Sequence, residues 1–244
     1  LQAFGGFSSS AANLTNQGHD TAYGYGVRFG WFGQLSDTVS AGAAYSTKIY
    51  MTEFDKYKGL FAEQGDFDMP ENYNVGIAFK ATPKLTVLAD YRRINYSDVP
   101  SVGNPSAGVF NCPGALVGGT DPTACLGGSN GAGFGWQNVN VYKIGFEYQY
   151  NSELTLRAGY SHNDNPIRAS DVTFNILAPG VVQDHVALGF THKTKSGSEL
   201  TMFYMHAFDN SVTGPSLFNR YGPAGNETIK MYQDSIGIAY GWKM

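Results

Sequence analysis

The sequence predicts an all-β fold, an antiparallel transmembrane β-barrel with nine strands in these 244 residues. Apolar and polar residues alternate with a period of two along nine segments. Short and long connections between these segments alternate strictly, as in barrels with short turns on one side of a membrane and long loops on the other. The composition agrees, because aromatic residues make up 14% of the chain, charged residues only 15%, and 31 residues are Gly.

The composition also excludes several other classes of protein. Disordered chains have few aromatic residues and many charges, and this chain has the opposite profile. Two cysteines are too few for a disulfide-rich miniprotein. No segment approaches the roughly 18 uninterrupted apolar residues of a membrane-spanning helix. The net charge of −4, without any basic run, argues against nucleic acid as a partner.

Period-two alternation defines the strands one by one. The clearest case is residues 142–150, where Tyr, Ile, Phe, Tyr and Tyr alternate with Lys, Gly, Glu and Gln. No segment has a convincing helical period. The nine predicted strands are residues 23–31, 39–45, 73–79, 85–91, 142–150, 154–160, 186–190, 200–204 and 236–242.

The connections divide into two kinds. Four are tight turns of a few residues, of the kind that joins antiparallel neighbours: 34–37, 81–84, 151–153 and 195–197. Four are long and are predicted to be extracellular loops: 49–70, 95–134, 162–183 and 208–229. A globular sandwich has short connections at both ends, so this alternation favours one membrane barrel domain spanning residues 1–244.

The two faces of the predicted strands differ in composition. One carries aliphatic residues at strand centres and aromatic residues at strand ends, where the two girdles of an outer-membrane barrel lie. The aromatic positions are Phe79, Tyr91, Tyr142, Tyr148, Tyr150, Tyr160, Tyr240 and Trp242. The opposite face, rich in Gly, Ser, Thr, Asn and charged residues, is typical of a water-filled lumen. The alternative, a soluble sandwich or lipocalin-like barrel, does not explain the asymmetric loops or the Gly-rich polar face.

The two cysteines, Cys112 and Cys125, lie within one long loop rich in Gly, Pro and Ser. If this loop is extracellular, its compartment is oxidising, and we expect a structural disulfide that restricts the loop. Two free thiols are the alternative.

Catalytic and metal-binding patterns are missing from the sequence. The five histidines form neither an HExxH motif nor a Cys/His metal spacing. His192 and His206 are predicted on the lipid-facing side, where an acyl hydrolase could use them, but no Ser in an oxyanion-forming pattern accompanies them. Histidines at the membrane interface are the simpler interpretation. No phosphate-binding Gly loop is present, so we expect a protein that is not an enzyme and holds no metal or cofactor.

Several segments resemble the FadL/TodX-type outer-membrane transporters of hydrophobic compounds. They are 57–65 (YKGLFAEQG), 67–73 (FDMPENY), 82–86 (TPKLT), 91–96 (YRRINY), 159–167 (GYSHNDNPI) and 175–185 (NILAPGVVQDH). The resemblance implies a location in the bacterial outer membrane and a fourteen-stranded barrel with an N-terminal hatch. The hatch and the first strands have no counterpart here, so the chain resembles the C-terminal nine strands. It implies a monomeric barrel completed by the missing N-terminal strands.

The function that the resemblance implies is passive uptake of a hydrophobic molecule, either a long-chain fatty acid or an aromatic hydrocarbon. Hydrophobic ligand, outer-membrane lipid and lipopolysaccharide are the expected partners. A diffusion porin for small polar solutes and a structural or adhesive surface barrel are the alternatives.

Apolar residues at lumen-facing positions are the candidate ligand contacts, because a lumen is otherwise polar. These residues are Leu88, Ile94, Val141, Phe203 and Met205. Lys143 and Arg157, on neighbouring strands with the same parity, could pair with a carboxylate head group. Alternatively, they form a lumen salt-bridge lattice with Glu147 and Asp90.

Overall fold

A computed structural model describes residues 2–114 and 118–242 of the chain. Its strands are β1 (Gly24–Tyr25), β2 (Arg28–Gln34), β3 (Val39–Ser46), β4 (Tyr50–Met51), β5 (Asn72–Thr82), β6 (Leu85–Ile94), β7 (Val139–Gln149), β8 (Leu154–Asn163), β9 (Asp184–Lys193), β10 (Glu199–Pro215) and β11 (Asn226–Gly241). Nine of them form one antiparallel sheet in the order β2-β3-β5-β6-β7-β8-β9-β10-β11. The nine predicted strands are therefore confirmed. The sheet is open, with β2 and β11 at its edges, as expected for part of a barrel.

The tight turns form because short polar side chains bind the backbone of the next strand. In the turn between β7 and β8, the Asn151 side chain accepts hydrogen bonds from the N–H groups of Glu153 and Leu154, both at 2.8 Å. Thr82 accepts equivalent bonds from the N–H groups of Lys84 and Leu85. These side chains satisfy the backbone groups at the strand ends and fix the register of each hairpin.

The first predicted strand, residues 23–31, is interrupted near its middle. β1 leaves the main sheet and pairs with β4 in a separate two-stranded ribbon. At the break, the Thr47 hydroxyl accepts a hydrogen bond from the Val27 N–H at 3.0 Å. A Cβ atom at Gly24 would lie 2.2 Å from Met51 Sδ and 2.9 Å from Ile49 Cγ2, so a larger residue here would require these side chains to shift.

The last two strands continue far beyond their predicted ends. A bulge between Ala207 and Asn210 places one extra residue on β10, and the pairing then continues to Pro215 and Asn226. The connection between them covers residues 216–225, a shorter segment than the predicted loop 208–229. The extra residue reverses the alternation of β10, so Val212 and its partner Ile229 point inward together.

The long connections form a compact layer at one rim of the sheet. They contain the short helices α1 (Ala62–Gly65), α2 (Pro100–Gly103) and α3 (Val172–Asn175). Short 3₁₀ helices cover Gln2–Phe7, Ala11–Asn13, Asp55–Tyr57, Tyr96–Asp98, Ser106–Asn111, Pro122–Ala124, Ala169–Asp171 and Leu217–Arg220. Within the described part of the chain, no helix has the length and apolar character that a membrane crossing requires.

Two hydrophobic clusters stabilise this loop layer, and the second one also includes residues from the loop ends of β10 and β11. The first is formed by Leu14, Val109, Leu126 and Ala132, with Phe4, Phe7, Leu60, Phe110 and Phe174 packed against it. The second is formed by Ile167, Val172, Val181 and Ile229, with Trp136, Val212 and Met231 around it. Cys112 and Cys125 form a disulfide in the same layer, as predicted.

Candidate functional site

The outward face of the sheet is apolar and open. Its strand centres carry exposed aliphatic residues, among them Val75, Ile77, Ile144, Leu156, Leu188, Ile236 and Ile238. Aromatic rings contact one another near both strand ends: Tyr91 and Tyr142 with centroids 5.4 Å apart, and Tyr240 and Trp242 at 6.2 Å. An apolar band between aromatic girdles is the surface that lipid covers in outer-membrane barrels.

The inward face carries a groove formed by residues with minimal side chains. Gly145, Gly159 and Ala187 lie side by side on β7, β8 and β9, because each pairs directly with the next. The same row ends at Leu88 on β6 and at Met205 on β10. The structure thus aligns two predicted ligand contacts at opposite ends of one shallow groove.

Phe203 lies on the inward face, one step along β10 from this groove, toward the short turns. Its ring covers Gly237 of β11, where a Cβ atom would be only 2.0 Å from Phe203 Cε1. Gly189 of β9 is its partner on the other side. The glycines on both neighbouring strands therefore make room for this one aromatic ring in the lumen.

The two predicted basic residues differ in their surroundings. Arg157 is held by Glu147, with Nε 2.8 Å from Oε2, and by the Thr191 hydroxyl at 2.7 Å. This contact is the one that the salt-bridge alternative predicts for Arg157. Lys143 pairs in register with Asp90, but the Asp90 carboxylate lies over Gly76 on the far side of its strand.

Ile94 and Val141 lie away from the groove. Ile94 is the last residue of β6 and pairs with the buried Val139, while Val141 pairs with Arg92 and Asn163 at the loop end of the lumen. The structure therefore does not bring them together with Leu88, Phe203 and Met205. All seven residues remain predicted ligand contacts.

A second candidate site, which we call the outer cavity, lies within the loop layer, where an apolar cavity of about 420 Å³ opens to solvent. The described residues that line it are Phe4, Leu60, Phe61, Ser101, Leu126, Ala132, Gly133, Phe134, Thr173, Phe174, Ile176, Leu177 and Phe218. None of them is charged. Ile176, Leu177 and Phe218 remain substantially exposed, so an apolar rim leads into the cavity.

The two hydroxyl groups in this lining are already engaged. The Ser101 hydroxyl donates a hydrogen bond to the backbone carbonyl of Asp66. Thr173 donates to Glu227 Oε2 at 2.6 Å and accepts a bond from the Leu217 N–H. A ligand in the cavity therefore finds apolar surface and no free side-chain donor among the described lining residues.

Behind Ser101 is a pair of acidic residues outside the membrane-spanning strands. Asp68 is buried and forms an ion pair with Lys48, 2.7 Å between Oδ2 and Nζ. Burial and the neighbouring Asp68 charge raise the pKa of Asp66 to about 7. Asp66 therefore carries a carboxyl group that titrates near neutral pH. It ends a short segment that begins at Phe61 and has left-handed backbone conformations at Glu63 and Gln64.

Sequence reasoning missed the outer cavity, because its walls come from loops far apart in the chain. Phe4 contacts Phe174 and Phe218 with ring centroids 5.8 Å and 6.1 Å apart. The available signal was the presence of large apolar residues in segments predicted to be solvated loops.

An open antiparallel sheet with a lipid-type outer face, a polar and glycine-rich inner face and long loops at one rim defines part of an outer-membrane β-barrel. The sequence profile of the outer membrane protein transport protein family (OMPP1/FadL/TodX) matches residues 2–214, and the chain belongs to this family. The predicted family and outer-membrane location are thereby confirmed. A family of transport proteins also agrees with the prediction that the chain is not an enzyme.

Solved structures share the fold. The Pseudomonas putida toluene transporter TodX is 21% identical, with a TM-score of 0.54, over 90% of this chain and 49% of that protein. A Pseudomonas aeruginosa FadL homologue is 14% identical, with a TM-score of 0.54, over 88% of this chain and 50% of that protein. This chain thus spans about half the length of these structures. A comparison with curated proteins finds no match.

Proposed function

We propose that this chain is part of an outer-membrane channel for the passive uptake of hydrophobic small molecules, and that the molecules it takes up are uncharged. Apolar solutes cross the polar surface layer of the outer membrane poorly, so a channel must first collect them. The outer cavity is suited to this role, because it is apolar, open to the outside and within the size range of small-molecule sites.

The observation that carries the proposal is the chemistry of the cavity lining. A carboxylate moved from water into an apolar site loses its hydration, and this loss must be offset by donors or a cation. The described lining offers neither, and Thr173 is bonded to a glutamate that would repel a second carboxylate. These features support an aromatic hydrocarbon, and not a long-chain fatty acid, as the molecule that the cavity binds.

The lumen provides the second stage of the proposed route. Leu88, Met205 and Phe203 offer apolar contacts around the groove that leads along the inner face. Arg157 is occupied by Glu147 and Thr191, which supports a lumen that carries neutral molecules past a balanced charge pair.

Leu177→Asp tests the cavity, because it places a charge at the apolar rim without disturbing a packed core. Leu35→Asp is the matched control, since Leu35 lies in the short turn at the opposite rim and the two side chains are equally exposed, at 62% and 61%. We expect Leu177→Asp to weaken toluene binding about tenfold and to slow its uptake by cells, and Leu35→Asp to have no effect.

Radiolabelled toluene and oleate separate the possible outcomes. Saturable toluene uptake that exceeds oleate uptake and is lost in a deletion strain supports the proposal. Equal affinity for oleate would refute the restriction to uncharged molecules. Uptake of neither compound above the deletion strain would refute the channel itself.

A further inference from the structure

The segment 61–66 contributes to the wall of the outer cavity at both of its ends. Phe61 lines the cavity at the start of the segment. At the other end, the backbone carbonyl of Asp66 accepts a hydrogen bond from the hydroxyl of Ser101, a buried residue that lines the same cavity. A movement of this segment therefore changes the cavity wall at two positions.

The middle of the segment has an unfavourable backbone conformation that a neighbouring loop holds in place. Glu63 and Gln64 have φ angles of 55° and 62°, in the left-handed region that residues other than glycine rarely adopt. Their N–H groups donate hydrogen bonds to the carbonyl groups of Gly128 and Gly127, at 2.8 Å and 2.9 Å. Such a conformation persists only while its surroundings fix it, so the segment leaves it when those contacts weaken.

The carboxyl group at the end of the segment has no counterion of its own. Lys48 is engaged by Asp68, whose Oδ2 atom lies 2.7 Å from Lys48 Nζ, and Asp68 Oδ1 accepts a hydrogen bond from the Met51 N–H. Asp66 Oδ1 is buried, and no donor among the described residues reaches it. Two neighbouring carboxyl groups that share one cation are most stable when one of them keeps its proton, and Asp66 is the one without a fixed partner.

The surroundings of Asp66 favour its neutral form. Burial is the main cause that raises its pKa to about 7, the charges of Asp68 and Glu63 act in the same direction, and Lys48 opposes them. Ionisation of Asp66 therefore destabilises the folded segment progressively as the pH rises from about 4 to 7, and the effect is complete above that range.

The other elements packed against the segment bring no base that offsets this effect. The neighbouring residues 100–103 and 125–131 contain no charged side chain. Phe54, whose N–H donates to the segment, lies between Glu53 and Asp55, two further acidic residues.

From this geometry we infer that the segment 61–66 is a latch that closes the wall of the outer cavity while Asp66 is neutral and releases it when this carboxyl group ionises. Asp66 is a positioning residue in this arrangement, because its proton keeps Phe61 and Ser101 in the wall. Ligand and proton then stabilise the same closed form, so each strengthens the binding of the other. The inference rests on the proposed function, in which the outer cavity binds the hydrophobic molecule.

The affinity for toluene at pH 5 and at pH 8 tests the latch. Equilibrium dialysis of radiolabelled toluene against the full-length protein in detergent, with protein-free detergent subtracted, gives this affinity. We expect the wild type to bind about tenfold more weakly at pH 8, because the proton that keeps the latch closed has been lost. Asp66→Asn stays neutral and should bind equally at both pH values. Asp37→Asn, the same substitution in an inner turn, should retain the wild-type decrease.

Glu63→Gln is an independent variant that leaves the latch carboxyl in place. The Glu63 side chain is exposed, and its charge raises the pKa of Asp66. Removing this charge should make the decrease in affinity between pH 5 and pH 8 smaller than in the wild type. Heat-modifiable gel mobility checks the folding of every variant.

Equal affinity of the wild type at the two pH values, or a wild-type decrease in Asp66→Asn, would overturn the inference. Absence of toluene binding at every pH would instead contradict the proposed function. In that case the hydrogen-exchange protection factors of residues 126–132, which bind the segment from across the cavity wall, decide on the latch. Protection that falls from pH 5 to pH 8 in the wild type and not in Asp66→Asn supports it, and protection that is independent of pH overturns it.

Discussion

The outward side chains of the sheet are exposed, whereas the long loops at one rim enclose a core of their own. Ile236 and Leu188 at strand centres are 72% and 63% exposed, but Val172 and Val181 in the loop layer are completely buried. The buried apolar residues within strands, Val139, Ala207 and Ile229, all lie at the loop end. The sheet therefore depends on the bilayer to cover its apolar face, and the loop layer is stabilised like a small globular domain.

This difference predicts that the two regions respond independently to mutation. A substitution that damages the loop core should loosen the outer cavity and leave the spanning strands intact. Substitutions of Asp171, of the disulfide cysteines and of Asp66 test this independence, in order of decreasing expected effect.

The largest effect is expected at Asp171, a buried carboxylate in the loop layer. Its Oδ1 accepts hydrogen bonds from both the N–H and the hydroxyl of the buried Ser106, each at 2.7 Å. Asp171→Ala leaves both donors without their acceptor and should destabilise the loop layer by about 4 kcal/mol. Hydrogen exchange of the loop segments measures this loss.

Asp171→Asn is the control, because its single carbonyl oxygen can still accept both bonds, and we expect a much smaller loss. Gel mobility of the barrel should stay unchanged in both variants. Unfolding of the sheet together with the loops in Asp171→Ala would contradict the independence of the two regions.

The disulfide should have the next largest effect, again confined to the loops. Cys112 and Cys125 are separated by 13 positions, and a crosslink of this length contributes about 3 kcal/mol by restricting the unfolded loop. Cys112→Ser/Cys125→Ser should therefore increase proteolysis of the loop layer and lower the affinity of the outer cavity for toluene. Proteolysis at the short turns of the opposite rim provides the reference, and an equal increase there would count against a local role.

The smallest effect is a dependence of loop stability on pH. The pKa of Asp66 is raised, mainly by burial, from its usual 3.8 to about 7. The folded loop therefore binds this proton more tightly than the unfolded loop does, so loop stability falls as pH rises from about 4 to 7.

Hydrogen-exchange protection around residues 61–66 should thus decrease between pH 5 and pH 8. Asp66→Asn should remove most of this dependence, while Asp37→Asn in an inner turn should retain it. A pH profile that Asp66→Asn leaves unchanged would exclude Asp66 as its origin.

Much of the sheet could be predicted, because its strands follow a strict two-residue alternation. The positions 142–150 show this well, since β7 was expected there and its faces are as predicted. The extension of β10 and β11 could not be predicted, because the bulge after Ala207 reverses the alternation of β10 and brings Val212 inward against the parity of the residues before the bulge. The break in residues 23–31 depends on contacts with residues 47–51, which the alternation does not report.

The candidate sites also include one that could be predicted from the sequence and one that could not. Leu88, Phe203 and Met205 were identified from parity alone, and the structure places Leu88 and Met205 on one row. The outer cavity was missed because Phe4, Phe174 and Phe218 are brought together only by the folding of separate loops. Aromatic residues in a loop carry no periodic pattern that would reveal which of them meet.

The sequence by itself determined the fold class, the number of strands in the sheet, the faces of those strands, the disulfide and the family. Each depends on local alternation, on the spacing of connections, on the composition of a loop or on short motifs, and all of these can be read directly from the sequence. Only the tertiary structure decided the outer cavity and the occupation of Arg157 by Glu147. Those features depend on which distant residues become neighbours, and strand register, a single bulge and loop packing fix that together.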